Sequence, residues 1–257
     1  SSAGYMTPPG GYGSEVTTWY LAEELATRGH TILLVAGEGS RTPPGGSLYT
    51  MPVIPIEPHR IERWYAGEFI PVILGADIVH DCSSSHVFAD TSHSLGHDRH
   101  LSTLNGISFW TPEQKHNICV LSEAARQAAL HGTPAFGEDH PDLQADPGRL
   151  ASCEVVNYGT DVSFYSDGDG AEDYILYVGR PHLAKGVHII LEIAREMPAQ
   201  QFLLAWRAEH PDHIKYESEY LETAKSLLNV RIIQLPLEGH HEAKRQLYQL
   251  AKAFLQP

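Results

Sequence analysis

Short apolar runs rich in β-branched residues alternate along this chain with longer segments whose apolar residues recur at helical spacing. Strands are predicted at residues 31–36, 76–81, 101–104, 118–121 and 153–156, and then at 174–178, 201–205 and 230–235. Helices are predicted between them at residues 14–28, 123–131, 187–196, 216–228 and 242–252. This alternation is typical of an α/β fold in which helices cover a parallel sheet.

Two serines stand where helices are predicted to begin. Ser14 precedes the first helix, which is expected to stop at Gly29, and Ser122 precedes the helix at 123–131. A serine hydroxyl can accept a hydrogen bond from a free N–H group of the first turn, and a glycine readily adopts the conformation that ends a helix. Both serines are therefore predicted to be helix caps.

Two segments of unusual composition interrupt this pattern. Residues 132–148 are rich in Pro, Gly and Asp, which is typical of a surface loop. Residues 165–172 contain two Asp-Gly pairs and are interpreted as a linker. The chain is therefore predicted to form a first Rossmann-like domain of residues 1–164 and a second of residues 165–257.

The ends of the chain differ from those of a complete doubly wound domain, which begins with a strand that leads into its first glycine-rich turn. Here residues 1–13 already form that turn, and residues 253–257 look like the start of another strand. The second half also holds only about three complete strands, fewer than such sheets usually have. We expect the chain to be a piece of a longer protein whose second domain is incomplete.

Composition limits the partners that this protein can have. The 18 basic and 32 acidic residues give a net charge of −14, which repels a phosphate backbone, so no nucleic-acid partner is expected. No run approaches the roughly 18 apolar residues of a membrane span, and a cytoplasmic protein without an integral membrane span is expected. Because the overall charge opposes anions, any bound phosphate must be held by a few local cations.

The cysteines and histidines do not indicate a metal site. Cys82, Cys119 and Cys153 each lie in or beside an apolar run, where a buried thiol is the usual role. Two groups of histidines lie close together in the sequence: His93, His97 and His100, and His240 with His241. Neither group has the pattern of a zinc site, which needs ligands aimed from ordered elements. No metal and no cofactor is expected.

A glycine-rich turn leads directly into the first predicted helix, with the sequence Pro8-Pro9-Gly10-Gly11-Tyr12-Gly13-Ser14-Glu15. Gly11 and Gly13 would let a ligand approach the backbone, and the helix N-terminus offers free N–H groups and a positive dipole to an anion. A purely structural turn would use the same residues, so both interpretations stay open.

A second candidate site follows the apolar strand at 174–178. Gly179-Arg180 ends that strand, and Lys185-Gly186 opens the next helix. A guanidinium and an ammonium group are thus expected to converge at the carboxyl end of a strand, where open α/β sheets bind ligands. The alternative is a pair of solvated cations that flank a loop, as most surface Lys and Arg residues do nothing specific.

Six motifs follow one another along nearly the whole chain. They are the first turn with Leu21 to His30, Asp77 to His80, Val120 to Glu123, Asn157 to Asp161, Gly179-Arg180 with Lys185-Gly186, and Leu247-Tyr248 with 251–257. In this order they resemble the family 4 glycosyltransferases. The resemblance implies a GT-B architecture, in which two Rossmann-like domains with parallel sheets face each other across a cleft.

The resemblance also implies a function and a set of site residues. Such enzymes are retaining, metal-independent transferases that move a sugar from a nucleotide-diphosphate sugar to an acceptor, which is unidentified here. Arg180 and Lys185 would hold the donor diphosphate and neutralise its charge as the nucleotide leaves. Gly11 and Gly13 would close on the donor phosphate or the acceptor, while Gly179 would lie on the donor side.

The sequence departs from the family at three strand ends. Many relatives carry a histidine where this chain has Asn105, and an asparagine can bond a sugar hydroxyl but cannot transfer a proton near neutral pH. Relatives also place glycine near the nucleotide where this chain has Trp206 and Leu235. We expect these two side chains to crowd or reshape the pocket for the base, with Leu235 touching the donor.

These departures leave other functions open. A non-catalytic carbohydrate- or nucleotide-binding protein could keep the fold and lose turnover, and Asn105 favours that interpretation. A nucleotide-sugar epimerase would share the cleft but would need paired acid and base carboxylates, which the sequence does not reveal.

Overall fold

The computed structural model describes residues 13–52, 58–83, 85–104, 117–131, 153–168, 170, 172–208, 211–236 and 240–257. The chain divides into two compact units, Ser1–Thr160 and Asp161–Pro257. Each unit has α/β architecture, and every pair of neighbouring strands in the described sheets is parallel.

The described part of the first unit contains two sheets flanked by helices. Its strands are β1 (Leu33–Gly37), β2 (Ser47–Met51), β3 (Val79–Asp81), β4 (His100–Leu104), β5 (Ile118–Val120) and β6 (Glu154–Val155). Its helices are α1 (Gly13–Thr27), α2 (Pro58–Glu68), α3 (Ile70–Gly75), α4 (Val87–Ser94) and α5 (Glu123–His131). Strands β1 and β2 pair with each other, and β3, β4, β5 and β6 form a second sheet in that order.

In its described residues the second unit forms one four-stranded sheet with helices on both faces. Its strands are β7 (Glu172–Val178), β8 (Gln201–Trp206), β9 (Val230–Gln234) and β10 (Ala251–Phe254). Its helices are α6 (Val187–Glu196), α7 (Pro211–Lys225) and α8 (His240–Leu250). The strand order is β10-β7-β8-β9, so β7 and β8 are the central strands.

Side chains of β7 and β8 alternate between two apolar cores. Tyr177 and Trp206 face α6 and α7 in one core, while Leu176 and Ala205 face α8 in the other. This two-sided burial explains why both strands read as continuous apolar runs in the sequence. Helix α6 matches its predicted bounds because its apolar residues recur every three or four positions, and four of them are buried.

The predicted helix caps have different outcomes. Ser122 caps α5 as expected, since its hydroxyl accepts a hydrogen bond from the N–H of Ala125 at 3.0 Å. Gly29 follows the end of α1 with φ +90, which also confirms the prediction. The cap predicted at Ser14 is wrong, because α1 begins at Gly13 and the Ser14 hydroxyl instead donates to the Glu15 carboxylate at 2.9 Å.

Several other elements of the structure differ from those that the sequence predicts. Strand β2 and helices α2, α3 and α4 were not predicted. The last helix ends at Leu250 instead of residue 252, because Ala251 begins a fourth strand that pairs with β7. Within its described residues the second unit therefore has four strands, where about three complete strands and the start of another are expected from the sequence.

Helix α4 depends on a carboxylate from a preceding strand. Asp81, at the end of β3, accepts hydrogen bonds from the backbone N–H groups of Ser83 at 2.9 Å, Phe88 at 2.9 Å and Ala89 at 3.1 Å. It thus satisfies N–H groups of the first helical turn that have no partner within the helix. A small groove of about 120 Å³ lies nearby, between β1 and β3, and is lined mainly by apolar residues such as Leu34 and Val79.

The segment predicted to be a linker is attached to the second unit. The hydroxyl of Tyr165 lies 3.0 Å from Nδ1 of His241, and the backbone N–H of Gly170 donates to Gln249 at 3.2 Å. A side chain at Gly168 would overlap the backbone of Gln249, so glycine allows this close approach. The described part of this segment therefore packs against α8.

One buried amide is predicted to stabilise the second unit. The Nδ2 group of Asn229 donates to the carbonyl groups of Ala194 at 2.9 Å, Met197 at 3.0 Å and Gln200 at 2.9 Å. Asn229→Ala should lower the free energy of unfolding by about 1–3 kcal/mol, because buried carbonyls lose their donor. Urea unfolding measures this change.

The matched variants for this test are Asn229→Asp and Thr223→Ala. Asn229→Asp keeps the shape but removes the donor, so it should destabilise at least as much as Asn229→Ala. Thr223 is half-buried, and its hydroxyl donates to the Glu219 carbonyl of its own helix at 3.1 Å, a bond that contributes little to helix stability, so its replacement should cost clearly less than Asn229→Ala. If Asn229→Asp matched the wild type, the donated hydrogen bonds would not matter for stability.

Candidate functional site

The candidate site lies at the carboxyl edge of the sheet in the second unit. Gly179 and Arg180 directly follow β7, and a turn then leads to a short 3₁₀ helix, Leu183–Lys185. Gly186 has φ +68 and joins this turn to α6. Gly179, Arg180 and Lys185 therefore lie on one turn at the sheet edge where open α/β folds bind ligands.

The turn is fixed by a tyrosine that reaches back over Gly179. The Tyr177 hydroxyl donates a hydrogen bond to the carbonyl of Arg180 at 3.0 Å. A Cβ atom at Gly179 would overlap that hydroxyl, so only glycine leaves room for the bond. Burial raises the pKa of Tyr177 well above its usual range, so the phenol keeps the proton that it donates.

The two predicted cations differ in exposure. The side chain of Arg180 is exposed at the sheet edge, and Lys185 is half-buried at the end of the 3₁₀ helix. Gly186 packs against the last residue of the chain, since a Cβ atom there would come within 2.7 Å of the ring of Pro257.

Aromatic rings of α7 pack against a residue of the turn, a contact that little in the sequence indicates. His182 makes an edge-to-face contact with Tyr216, with ring centroids 5.1 Å apart, and lies 6.1 Å from the ring of His213. Both partners are on α7, which begins five residues before its predicted start. Pro211 at the first position of α7 was the available signal, because proline is favoured there.

Trp206 does not have the role expected of it. Its side chain is 0% exposed and packs in the core beneath α6 and α7, with the indole N–H donating to Glu217 at 2.8 Å. The expectation that it crowds a base pocket is therefore wrong.

Leu235 is 8% exposed, packs in the core beneath α8, and donates its backbone N–H to the carbonyl of Trp206 at 2.7 Å. Its contact with a donor stays a prediction.

The glycine-rich turn of the first unit is only partly described. Gly13 is the first residue of α1, and its carbonyl accepts a hydrogen bond from the Thr17 hydroxyl at 2.8 Å. Gly11 and Asn105 lie outside the described residues. Within the described part of the chain, no cluster of three or more His, Cys, Asp or Glu side chains could hold a metal ion.

The structure is similar over nearly the whole chain to two solved glycosyltransferases. One is a glycosyltransferase from Rickettsia africae ESF-5, with a TM-score of 0.63, 13% identity, and coverage of 95% of this chain and 69% of that one. The other is AviGT4, a glycosyltransferase involved in avilamycin A biosynthesis, with a TM-score of 0.58 and 21% identity, covering 97% and 62%. This chain has a GT-B glycosyltransferase fold.

At these identities the likeness shows the fold alone, and the chain spans 69% and 62% of the length of the two proteins. No protein-family model and no curated protein sequence matches this chain. In the regions that the structure describes, no helix is both long and apolar enough to cross a membrane.

The close approach of Tyr177 to Gly179 predicts that a larger residue at position 179 destabilises the second unit. Gly179→Ala should displace the Tyr177 hydroxyl and destabilise the second unit by about 1–3 kcal/mol, as overpacking does in well-packed cores. Thermal unfolding measures the change. In the Tyr177→Phe background the same substitution should cost less, because the atom with the closest overlap is gone, although the ring carbon Cζ stays 2.7 Å from the added Cβ. Equal costs in both backgrounds would show that the hydroxyl is not the obstacle.

Proposed function

We propose that this chain belongs to a retaining glycosyltransferase whose second unit binds a nucleotide-diphosphate sugar. The observation that carries the proposal is the turn from Gly179-Arg180 to Lys185-Gly186 at the carboxyl edge of a parallel sheet. The likeness in fold to two glycosyltransferases supports it. The acceptor of the sugar is not identified.

The chemistry of the two cations suits a diphosphate. The Arg180 guanidinium offers a planar fork of N–H donors that can bind two phosphate oxygens at once, and the Lys185 ammonium adds a mobile point charge. Because the chain carries a net charge of −14, only such local cations can attract a phosphate. When the bond between sugar and phosphate breaks, the same cations stabilise the charge that develops on the leaving nucleotide.

The first unit would supply the acceptor side. Gly13 begins α1 and Gly11 lies two residues before it in the sequence, and the free N–H groups of this helix N-terminus would favour a phosphate or an acceptor hydroxyl nearby. Asn105 would hydrogen-bond a sugar hydroxyl in this arrangement. It could not act as an acid or a base, so the transfer would depend on stabilising the leaving group.

A second candidate function is non-catalytic binding of a nucleotide or a carbohydrate. Asn105 favours this alternative, because it replaces a residue type that can transfer a proton with one that cannot. The two candidates share the donor site and differ only in turnover.

Replacing both cations tests the donor site. Arg180→Ala combined with Lys185→Ala should weaken the binding of uridine and guanosine diphosphates at least about tenfold, which corresponds to about 1.4 kcal/mol. Isothermal calorimetry measures the affinities. The matched control is Arg195→Ala with Lys225→Ala, which removes the same charges from helix ends on the opposite edge of the sheet. Equal affinities in the double variant and the wild type would reject the site.

Product analysis separates the two candidate functions. With labelled nucleotide-diphosphate sugars and a panel of hydroxyl acceptors, the enzyme should release the nucleotide and form a glycoside. The linkage should have the anomeric configuration of the donor, which NMR coupling constants report. Binding without release of nucleotide would favour the non-catalytic alternative, and inverted product would contradict the retaining mechanism.

A further inference from the structure

Strands β1 and β3 line the same groove of the first unit but do not pair with each other. Among the described strands, β1 pairs with β2 alone, and β3 pairs with β4 alone. The lining of the groove includes residues 33–35 of β1 and residues 78–81 at β3. The groove therefore lies between the two strand sides that no other described strand covers.

The backbone of each strand points hydrogen-bonding groups toward this groove. The Ile32 carbonyl and the Glu38 N–H each bond to the β2 segment at 2.8 Å. Because backbone groups alternate between the two sides of a strand, those of Leu33 face the groove. The Val79 N–H donates to the residue before β4 at 2.9 Å, so the backbone groups of His80 face the groove from the other wall. A strand placed in the groove could pair with both walls.

Helices cover both faces of the layer that contains the groove. On one face, Leu34 packs against Trp19 of α1. On the other face, Val35 of β1 and Val79 of β3 pack in one core with Ile73 of α3. The two strands thus share a core although they do not pair. Strands with helices on both faces are apolar throughout, so this position favours an apolar occupant.

Two apolar side chains of the groove are exposed. Ile78 is 66% exposed and Leu33 is 37% exposed, and they lie on opposite walls. Exposed apolar surface that is continuous with a core marks a place where another segment packs. The exposure of these side chains also shows that the groove opens to solvent, so an occupant is not confined to its enclosed volume.

The path of the chain decides which segment reaches the groove. Helix α1 packs on β1 and leads into it through a short connection, residues 28–32, so α1 runs opposite to β1 and begins near its carboxyl end. A strand that precedes α1 therefore ends at that edge and runs parallel to β1. Parallel strands joined by one helix usually lie side by side. Because β2 pairs with one side of β1, the groove is on the side that such a strand can reach.

We propose that the groove binds an apolar strand of about five residues that precedes α1 in the polypeptide. The strand pairs with β1 on one side and with β3 on the other. It joins the two sheets into one, in the order β2, β1, added strand, β3, β4, β5 and β6. The inference concerns the first unit and does not rest on the proposed function.

An extension of the chain ahead of residue 1 tests the proposal. The sequence Lys-Ile-Val-Val-Ile-Val supplies an apolar strand, and NMR measures amide exchange in the extended and the unextended protein. The N–H groups of Leu33 and His80 should exchange at least about tenfold more slowly in the extended protein, because a sheet on that side protects them. The midpoint of thermal unfolding should rise by about 5 °C or more.

Two control extensions of the same length separate strand pairing from simple attachment. Lys-Ser-Thr-Ser-Thr-Ser lacks apolar side chains. Lys-Ile-Val-Pro-Ile-Val stays apolar but cannot pair along its whole length, because proline has no N–H group. Neither control should raise the unfolding midpoint or slow the exchange of the Leu33 and His80 amides.

Substitutions in the groove provide a second test with a matched control. Leu33→Asp combined with Ile78→Asp should remove the effect of the apolar extension, because a strand would then bury two carboxylates. The control is Leu74→Asp with Leu95→Asp, since these residues are 51% and 40% exposed in the same unit and do not line the groove. The extension should keep its effect in this control. Circular dichroism of the unextended variants checks that both are folded.

Three results would overturn the proposal. The first is equal amide exchange and equal unfolding midpoints with and without the apolar extension. The second is an equal effect of the proline-containing extension, because pairing would then not be the cause. The third is a dimer of the unextended chain, seen by light scattering, that Leu33→Asp with Ile78→Asp dissociates, because the occupant would then be a second copy.

Discussion

The second unit depends on the burial of β7 and β8 from both sides. Tyr177 and Trp206 fill the core beneath α6 and α7, while Leu176 and Ala205 fill the core beneath α8. With apolar side chains on both faces, the inner parts of these strands, residues 174–178 and 202–206, have no place for a charge. Charged residues can therefore follow only where the strands end, and at the carboxyl edge those residues are Arg180 and Arg207.

The same constraint explains the local geometry of the turn. The ring of Tyr177 is buried, so its hydroxyl needs a hydrogen-bond partner. That partner is the carbonyl of Arg180. That bond holds the backbone of Arg180 at the edge while its guanidinium extends into solvent. Gly179 is required because a side chain there would occupy the space of the hydroxyl. Core packing and the position of a candidate ligand-binding cation are thus linked through one residue.

Where periodicity was strong, the sequence predicted the fold well, as α6 and β8 show. Strand β2 was missed because its Ser-Leu-Tyr-Thr-Met sequence mixes polar and apolar residues, and its pairing with β1 is a tertiary contact. Helix α4 was missed because its first turn is capped by Asp81 from a preceding strand instead of by a neighbouring residue. Pairing with β7 likewise overrides the helical pattern at Ala251.

The candidate site was only partly predictable for a similar reason. The Gly-Arg and Lys-Gly pairs around one turn are visible in the sequence, because they lie within a few residues of each other. Arg207 carries no such signal. Its position at the same sheet edge as Arg180 depends on the pairing of β7 with β8, which only the fold reveals.

The central claim is that the carboxyl edge of this sheet is the anion-binding site. Amide hydrogen exchange, measured with and without a nucleoside diphosphate, tests this claim most directly. Saturating uridine or guanosine diphosphate should slow amide exchange in the turn between β7 and α6, after β8, and in the first turns of α8. The amino edge, including the start of β8 and the end of α7, should exchange as in the free protein. Protection confined to the amino edge, or no protection at ligand concentrations that saturate binding, would contradict the account.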